Sequence, residues 1–296
     1  MAFRQYLIEE VVLECADGAM SRREALHRLG LLGVVGAAAT ALMSGCGGDD
    51  DDSSAGSDET EATTSASATD APGDEIRFAG PRSELIGVFA EAPEAKGAVL
   101  VIHENRGLTA HIRSIPGRLG ADGYSALAID LLSEQGGTAS MASDASATAA
   151  LGEASVDDLV GDLRAGLDEL ERRAPDAGLA VIGFCFGGGM TWQLLAAGDA
   201  RISAAVPFYG PLPAGADFAG SPSAAVLGVY AELDDRVNAS REDAEAALDA
   251  AGLEHDLQIY DGVDHAFFND SGSSFDADAA ASAYAAMIDW FDEHLA

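Results

Sequence analysis

The sequence predicts an α/β fold, a mostly parallel sheet with helices on both faces, and three observations lead to it. Apolar runs alternate with helical patterns through residues 74–296, the order that strand–helix–strand units of a parallel sheet require. One run, Leu179 to Ile182, feeds a turn packed with glycine and then a helix. The 223 residues from 74 to 296 are ample for a single core.

The elements follow in chain order. Apolar runs at 85–89, 98–102, 124–129, 179–182, 202–208, 224–230 and 257–260 are the expected strands. Their nearly continuous Val, Ile, Leu and Ala content suits strands covered on both faces. Helical patterns at 111–121, 155–173, 188–197, 239–251 and 278–294 lie between and after them. The Ala/Ser/Thr-rich tract from Thr138 to Gly152 is weakly patterned and is expected to be a mobile segment near the site mouth. There is no internal repeat, no HExxH or CxxC metal spacing and no phosphate loop, so neither cofactor nor metal is expected.

The turn reads Gly183-Phe184-Cys185-Phe186-Gly187-Gly188-Gly189. Glycines at 183 and 187 flank one reactive side chain, as in the G-x-S-x-G nucleophile elbow of α/β-hydrolases, with cysteine in the serine position. Crowding at such a strand-to-helix turn tolerates only small neighbours. Cys185 is the nucleophile candidate. That fold orders its groups as nucleophile, acid, histidine, and two later strand ends supply the rest, one in Ala231-Glu232-Leu233-Asp234-Asp235 and one in Asp261-Gly262-Val263-Asp264-His265. Asp235 and Asp264 rival Asp234 as the acid, and the register of the turn favours Asp234. Of six histidines, His27 lies in a targeting segment, His111 and His255 read as surface positions, and His294 is in the terminal helix. His103 follows a strand but precedes the nucleophile. His265 is the best-placed base.

These residues resemble the dienelactone hydrolase family. The likeness covers about residues 75–296 and rests on the elbow, His103-Glu104-Asn105-Arg106-Gly107-Leu108, Ala128-Ile129-Asp130-Leu131-Leu132, and Tyr260 to Phe267. The resemblance implies an α/β-hydrolase fold and a Cys-His-Asp triad that cleaves a small-molecule ester or lactone through a thioester. It also implies that Glu104 contacts the resting thiol, with the backbone N–H groups of Asn105 and Phe186 as the oxyanion hole. One family feature is missing. Members acting on dienelactone hold its carboxylate with arginines, one in the loop after the Asp-Leu segment and one four residues past the histidine. Here that loop reads Ser133-Glu134-Gln135-Gly136-Gly137-Thr138 and the later position is Asn269. With Arg106 or Arg113 as the only substitutes, and Glu104 and Glu134 facing the substrate, neutral esters are expected to be favoured over carboxylated ones.

Composition bounds the setting. Fifty acidic against 16 basic residues give a formal charge of −34, and Lys96 is the single lysine. Such a balance excludes nucleic acid as a partner, because phosphates would be repelled, and it reads as a halophilic surface for molar salt. Ser21-Arg22-Arg23-Glu24-Ala25-Leu26 resembles a twin-arginine export signal, and the apolar stretch of 14 residues from Leu29 to Leu42 suits a signal h-region. Met43-Ser44-Gly45-Cys46 resembles a lipoprotein box with Cys46 lipidated. The expectation is a leader at 1–45, an acidic disordered tether at 46–73 and a hydrolase domain at 74–296. The mature protein would be secreted and held on the outer face of the cytoplasmic membrane by the lipid alone. Met20 could be the true start, which would make residues 1–19 and Cys15 irrelevant. From Cys46 onward only Cys46 and Cys185 remain, so no disulfide framework exists. A catalytically inactive ligand-binding lipoprotein on the same fold is the alternative. A redox sensor lacks a resolving cysteine.

Overall fold

The computed structural model describes residues 3–16, 20–34, 37–42 and 73–295. Its sheet has eight strands: β1 (Asp74–Ala79), β2 (Glu84–Ala90), β3 (Gly97–Ile102), β4 (Tyr124–Asp130), β5 (Leu179–Phe184), β6 (Ile202–Phe208), β7 (Ala225–Ala231) and β8 (His255–Tyr260), in spatial order β1-β2-β4-β3-β5-β6-β7-β8. β1 and β2 run antiparallel to their neighbours, and every pair from β4 to β8 is parallel. The central strands β3, β4 and β5 are buried at every position, as a sheet covered on both faces demands. This is the α/β-hydrolase fold, and its helices cover the sheet.

Strand β1 escaped the sequence reading. Asp-Glu-Ile-Arg-Phe-Ala is charged and buries only Phe78, because an edge strand needs few apolar side chains once its backbone pairs. A second difference lies at Thr138 to Gly152. The segment is ordered, with a 3₁₀ turn at Thr138–Ser140 and a helix at Asp144–Glu153. Ser143 and Ser146 form a reciprocal capping box there, and alanine is the strongest helix former. The small side chains blur the pattern, yet Ala145, Ala147, Thr148 and Leu151 are buried.

In chain order the helices are α1 (Phe3–Ala16), α2 (Arg22–Leu31), α3 (Ala37–Leu42), α4 (Ala110–Ala121), α5 (Asp144–Glu153), α6 (Val156–Arg173), α7 (Phe186–Ala197), α8 (Asp235–Asn238), α9 (Arg241–Ala251) and α10 (Ala277–His294). The first three come from the expected leader, and α1 and α2 pack on α5. Leu7, Ile8, Val11 and Cys15 of α1 join the main hydrophobic cluster, as do Met20, Ala25 and Leu29. Leu7, Ile8, Val11 and Cys15, which precede Met20, are thus packed with the described residues of the domain. Ser21 caps α2 by accepting from the Glu24 N–H at 3.2 Å, a conventional helix start at the Arg22-Arg23 pair. Among the described residues no helix is long and apolar enough to cross a membrane. Cys46 and nearly all of the 46–73 tether lie outside the described residues.

Candidate active site

The elbow forms because three backbones meet there. Cys185, between β5 and α7, holds φ 54° and ψ −113°, a conformation that costs an L-residue strain and persists only when its surroundings impose it. A Cβ on Gly183 would lie 2.0 Å from the Gly187 carbonyl oxygen, and one on Gly187 would lie 2.3 Å from the Ile102 oxygen. Only glycine fits either position. Phe186, one of the expected oxyanion donors, is the first residue of α7 and stacks on His103 at 5.8 Å between centroids.

The candidate acid and base converge from two further strand ends. Asp234 follows β7, is buried, and accepts from the Val237 N–H at 3.1 Å, which starts α8. Its other oxygen lies 2.5 Å from His265 Nδ1. Of the rivals, Asp235 is exposed and Asp264 binds the backbone N–H of His265 at 2.6 Å. His265 is presented by a strained corner, since Ala266 next to it has φ 63°. A ring nitrogen of His265 and the Cys185 sulfur lie within 4.8 Å of each other. The three residues named from the sequence therefore stand together around one cavity of about 420 Å³ that Glu104, Asn105 and Arg106 also line.

Other histidines sort out differently. His103 is buried, its Nδ1–H donates to the Glu104 carbonyl at 2.7 Å and its Nε2 accepts from Leu131 N–H at 3.0 Å, so it braces two loops. His111, read as a surface residue, is buried against Phe184 and Phe268 and bonds Asp270 at 2.7 Å. It sits on the inner face of α4, hidden from a pattern reading by its polarity.

Glu104 lines the same cavity as Cys185. Its Oε2 accepts from Asn269 Nδ2 at 2.6 Å, while Oε1 is buried with no hydrogen-bond partner among the described residues. Burial pushes its carboxyl up to about 7, against the pull of His265, Arg106 and Asn269. The thiol meets Glu10 of α1: Cys185 Sγ–H donates to Glu10 Oε1 at 3.4 Å, and His265 Nε2 lies 3.2 Å from the same oxygen. Glu10 Oε2 bonds Arg236 Nη2. Burial alone would raise the Glu10 carboxyl, but His265 and Arg236 outweigh it and hold it far below the carboxylate range. Burial, then the Glu10 charge, pushes the Cys185 thiol up to about 11. Burial opposes charging of His265, yet Glu10 and Asp234 hold the imidazolium well above the usual histidine range.

The expectation that only Arg106 or Arg113 could meet a substrate carboxylate does not hold. Arg113 pairs with Glu75, whereas Arg236 lines the cavity with only 12% of its side chain exposed. Glu134 pairs with Arg82 and does not line the cavity. In sequence, Arg236 is one cation in an acidic loop, and only its place two residues past the acid could have pointed to it. Glu10, Cys185 and His265 also bring three metal-capable atoms within 4.8 Å. A cation there would face the Arg236 guanidinium and take both the candidate nucleophile and the candidate base.

A cysteine on a strained strand-to-helix turn, with an Asp-bonded histidine beside it, stands where α/β-hydrolases carry their reacting groups. The profile of the dienelactone hydrolase family matches residues 86–295, and the chain belongs to that family; it is a carboxylic ester hydrolase. It is 32% identical over 211 residues to the "Putative carboxymethylenebutenolidase" of Escherichia coli strain K12, covering 66% of this chain and 76% of that one. The protein of the same description from Saccharolobus solfataricus is 30% identical, over 67% of this chain and 90% of its own. Among solved structures, the "Putative Dienelactone Hydrolase" of Klebsiella pneumoniae superposes with a TM-score of 0.65 at 26% identity, over 75% of this chain and 98% of that one.

Proposed function

We propose that the protein hydrolyses a small ester or lactone through Cys185, His265 and Asp234 by way of a thioester. The observation that carries the reading is the 2.5 Å contact of Asp234 with His265 Nδ1 beside the Cys185 turn. Asp234 holds the ring with its proton on Nδ1, leaving Nε2 to take the thiol proton. The thiolate attacks the acyl carbon, and the N–H groups of Asn105 and Phe186 stabilise the oxyanion. His265 returns the proton to the leaving alcohol, then activates water, and the acid and free thiol are released. Glu104, neutral or charged near pH 7, tunes the field at the sulfur.

Substrate choice follows from Arg236. It already binds one carboxylate in this cavity, that of Glu10, so an ester or lactone carrying a carboxylate near the scissile carbonyl is the proposed class, in keeping with the relatives' carboxymethylenebutenolidase description. A charge-assisted hydrogen bond contributes about 1.5–3 kcal/mol, roughly ten- to a hundredfold in affinity. Carboxylated esters should therefore exceed their methyl esters in kcat/KM by about that factor, and Arg236→Ala should erase the difference; equal losses for both substrates would refute the assignment. Intact-mass detection of an acyl adduct on Cys185 during turnover tests the thioester itself.

The setting is proposed from the sequence. A twin-arginine signal at Arg22-Arg23 and lipidation at Cys46 would place the enzyme on the outer face of the cytoplasmic membrane. Removal of residues 1–45 would leave 45 acidic and 12 basic residues. Self-repulsion at that charge density destabilises a compact state when counter-ions are scarce. Cooperative unfolding is expected on dialysis from molar salt to about 10 mM, where the screening length reaches about 30 Å; circular dichroism unchanged across that range would remove the halophilic reading.

A further inference from the structure

Glu10 belongs to a helix that the hydrolase domain does not need for its sheet, 175 residues away in sequence from the thiol it touches. Its side chain is 4% exposed, and its two oxygens meet the nucleophile, the base and the cavity's arginine. Such a carboxylate resembles the product of ester hydrolysis, an acid whose oxygens lie beside sulfur and imidazole. Its carrier is firmly seated. Leu7 and Val11 are fully or almost fully buried. Arg4 Nε donates to the Leu32 carbonyl at 2.8 Å, tying α1 to the end of α2. α5 comes so close to both that a Cβ on Gly152 would lie 2.9 Å from Leu32 and 3.1 Å from Leu7.

We propose that helix α1 is an internal inhibitor of the active site, docked so that the Glu10 carboxylate fills the place of the scissile acyl group and holds the full chain shut until α1 is released. The proposal rests on the hydrolase reading for what is inhibited, while the contact itself is independent of it. Occupation acts at three points. The carboxylate blocks the approach of an acyl carbon to Sγ. It engages His265 Nε2, the atom a base must keep free. It neutralises Arg236, which a charged substrate would need. Deleting residues up to any cut between α1 and the domain would lift all three, so a protein synthesised with its leader would stay inactive until that leader is removed.

The test uses the full chain. Wild type, Glu10→Ala and Leu7→Asp, which unseats α1 without touching the site, are treated with iodoacetamide, and alkylation at Cys185 is followed by peptide mass spectrometry; hydrolysis of a chromogenic short-chain ester is measured in parallel. Both variants should alkylate at least about tenfold faster, the effect of one pKa unit in thiolate, and hydrolyse faster by a similar factor. Far- and near-ultraviolet circular dichroism establish that the sheet and its aromatic packing are intact, and deletion of residues 1–16 serves as a third variant. Alkylation unchanged in all three variants overturns the inhibitor. Faster alkylation with no hydrolysis in any of them upholds the inhibitor and overturns the hydrolase mechanism. Hydrolysis at one rate in all four proteins does the reverse.

Discussion

Cys185→Ala should lower kcat/KM for a short-chain ester by about four to six orders of magnitude, the loss seen when a triad nucleophile is removed and only binding and the oxyanion hole remain. The comparison is best made in the full chain and again on the Glu10→Ala background, where the site is free. The fold should survive. Cys185 already holds φ 54°, and alanine bears the same strain there as cysteine, so the substitution adds none. The side chain removed is a single buried sulfur at the cavity wall, a small loss of volume, and the neighbouring glycines, whose contacts fix the turn, are untouched. Loss of the Sγ–Glu10 hydrogen bond should loosen α1 slightly, visible as faster proteolysis of the first residues with an unchanged melting transition for the domain. A variant that keeps more than about a hundredth of the activity would show that another group attacks the substrate, because even the more dispensable members of such a triad cost more than that.

What the sequence disclosed was the part in which local chemistry and chain order coincide. Gly183 and Gly187 announce the elbow because no other residue fits between crossing backbones, and a parallel sheet delivers Asp234 and His265 to the same edge through the ends of β7 and β8. The hidden parts are those in which distant segments meet. β1 reads as a charged coil until β2 pairs with it. α5 has side chains too small to form a visible stripe. His111 looks polar and exposed although α4 turns it inward. Arg236 is inconspicuous among acidic neighbours, and only the turn into α8 brings it to the cavity. Glu10 is the extreme case: it falls in a segment expected to be a leader set apart from the fold, so nothing in residues 1–16 suggests that one carboxylate reaches Cys185. The omission of Arg236 from the arginines near the site has the same origin, since the sequence reading counted arginines by their position in family motifs and not by their place around the cavity.

Asp234→Asn should reduce kcat by about 10⁴-fold, with stability altered by less than about 1 kcal/mol. The two effects separate because the carboxylate has two jobs on different oxygens. Oδ1 accepts from the Val237 N–H at 3.1 Å and caps α8, and an asparagine carbonyl oxygen does this equally well. Oδ2 lies 2.5 Å from His265 Nδ1, where a carboxylate can only accept and so fixes the proton on Nδ1. With the amide oxygen retained by the cap, the NH₂ group would face the ring, and two donors cannot share that contact. The ring would then move its proton to Nε2, the nitrogen that must be free to deprotonate Cys185. Asp234 also helps hold the imidazolium above the usual histidine range, so its loss shifts the histidine downward, and the neutral ring should persist to a lower pH than in the wild type. The acid limb of the pH–rate profile should therefore move to lower pH in whatever activity survives, while a melting curve in molar salt stays within a few degrees. Should the Asp234→Asn variant retain more than about a tenth of the rate with an unmoved profile, the acid would have to be sought elsewhere, and the buried carboxyl of Glu104, pushed up to about 7, is the next group within the same cavity.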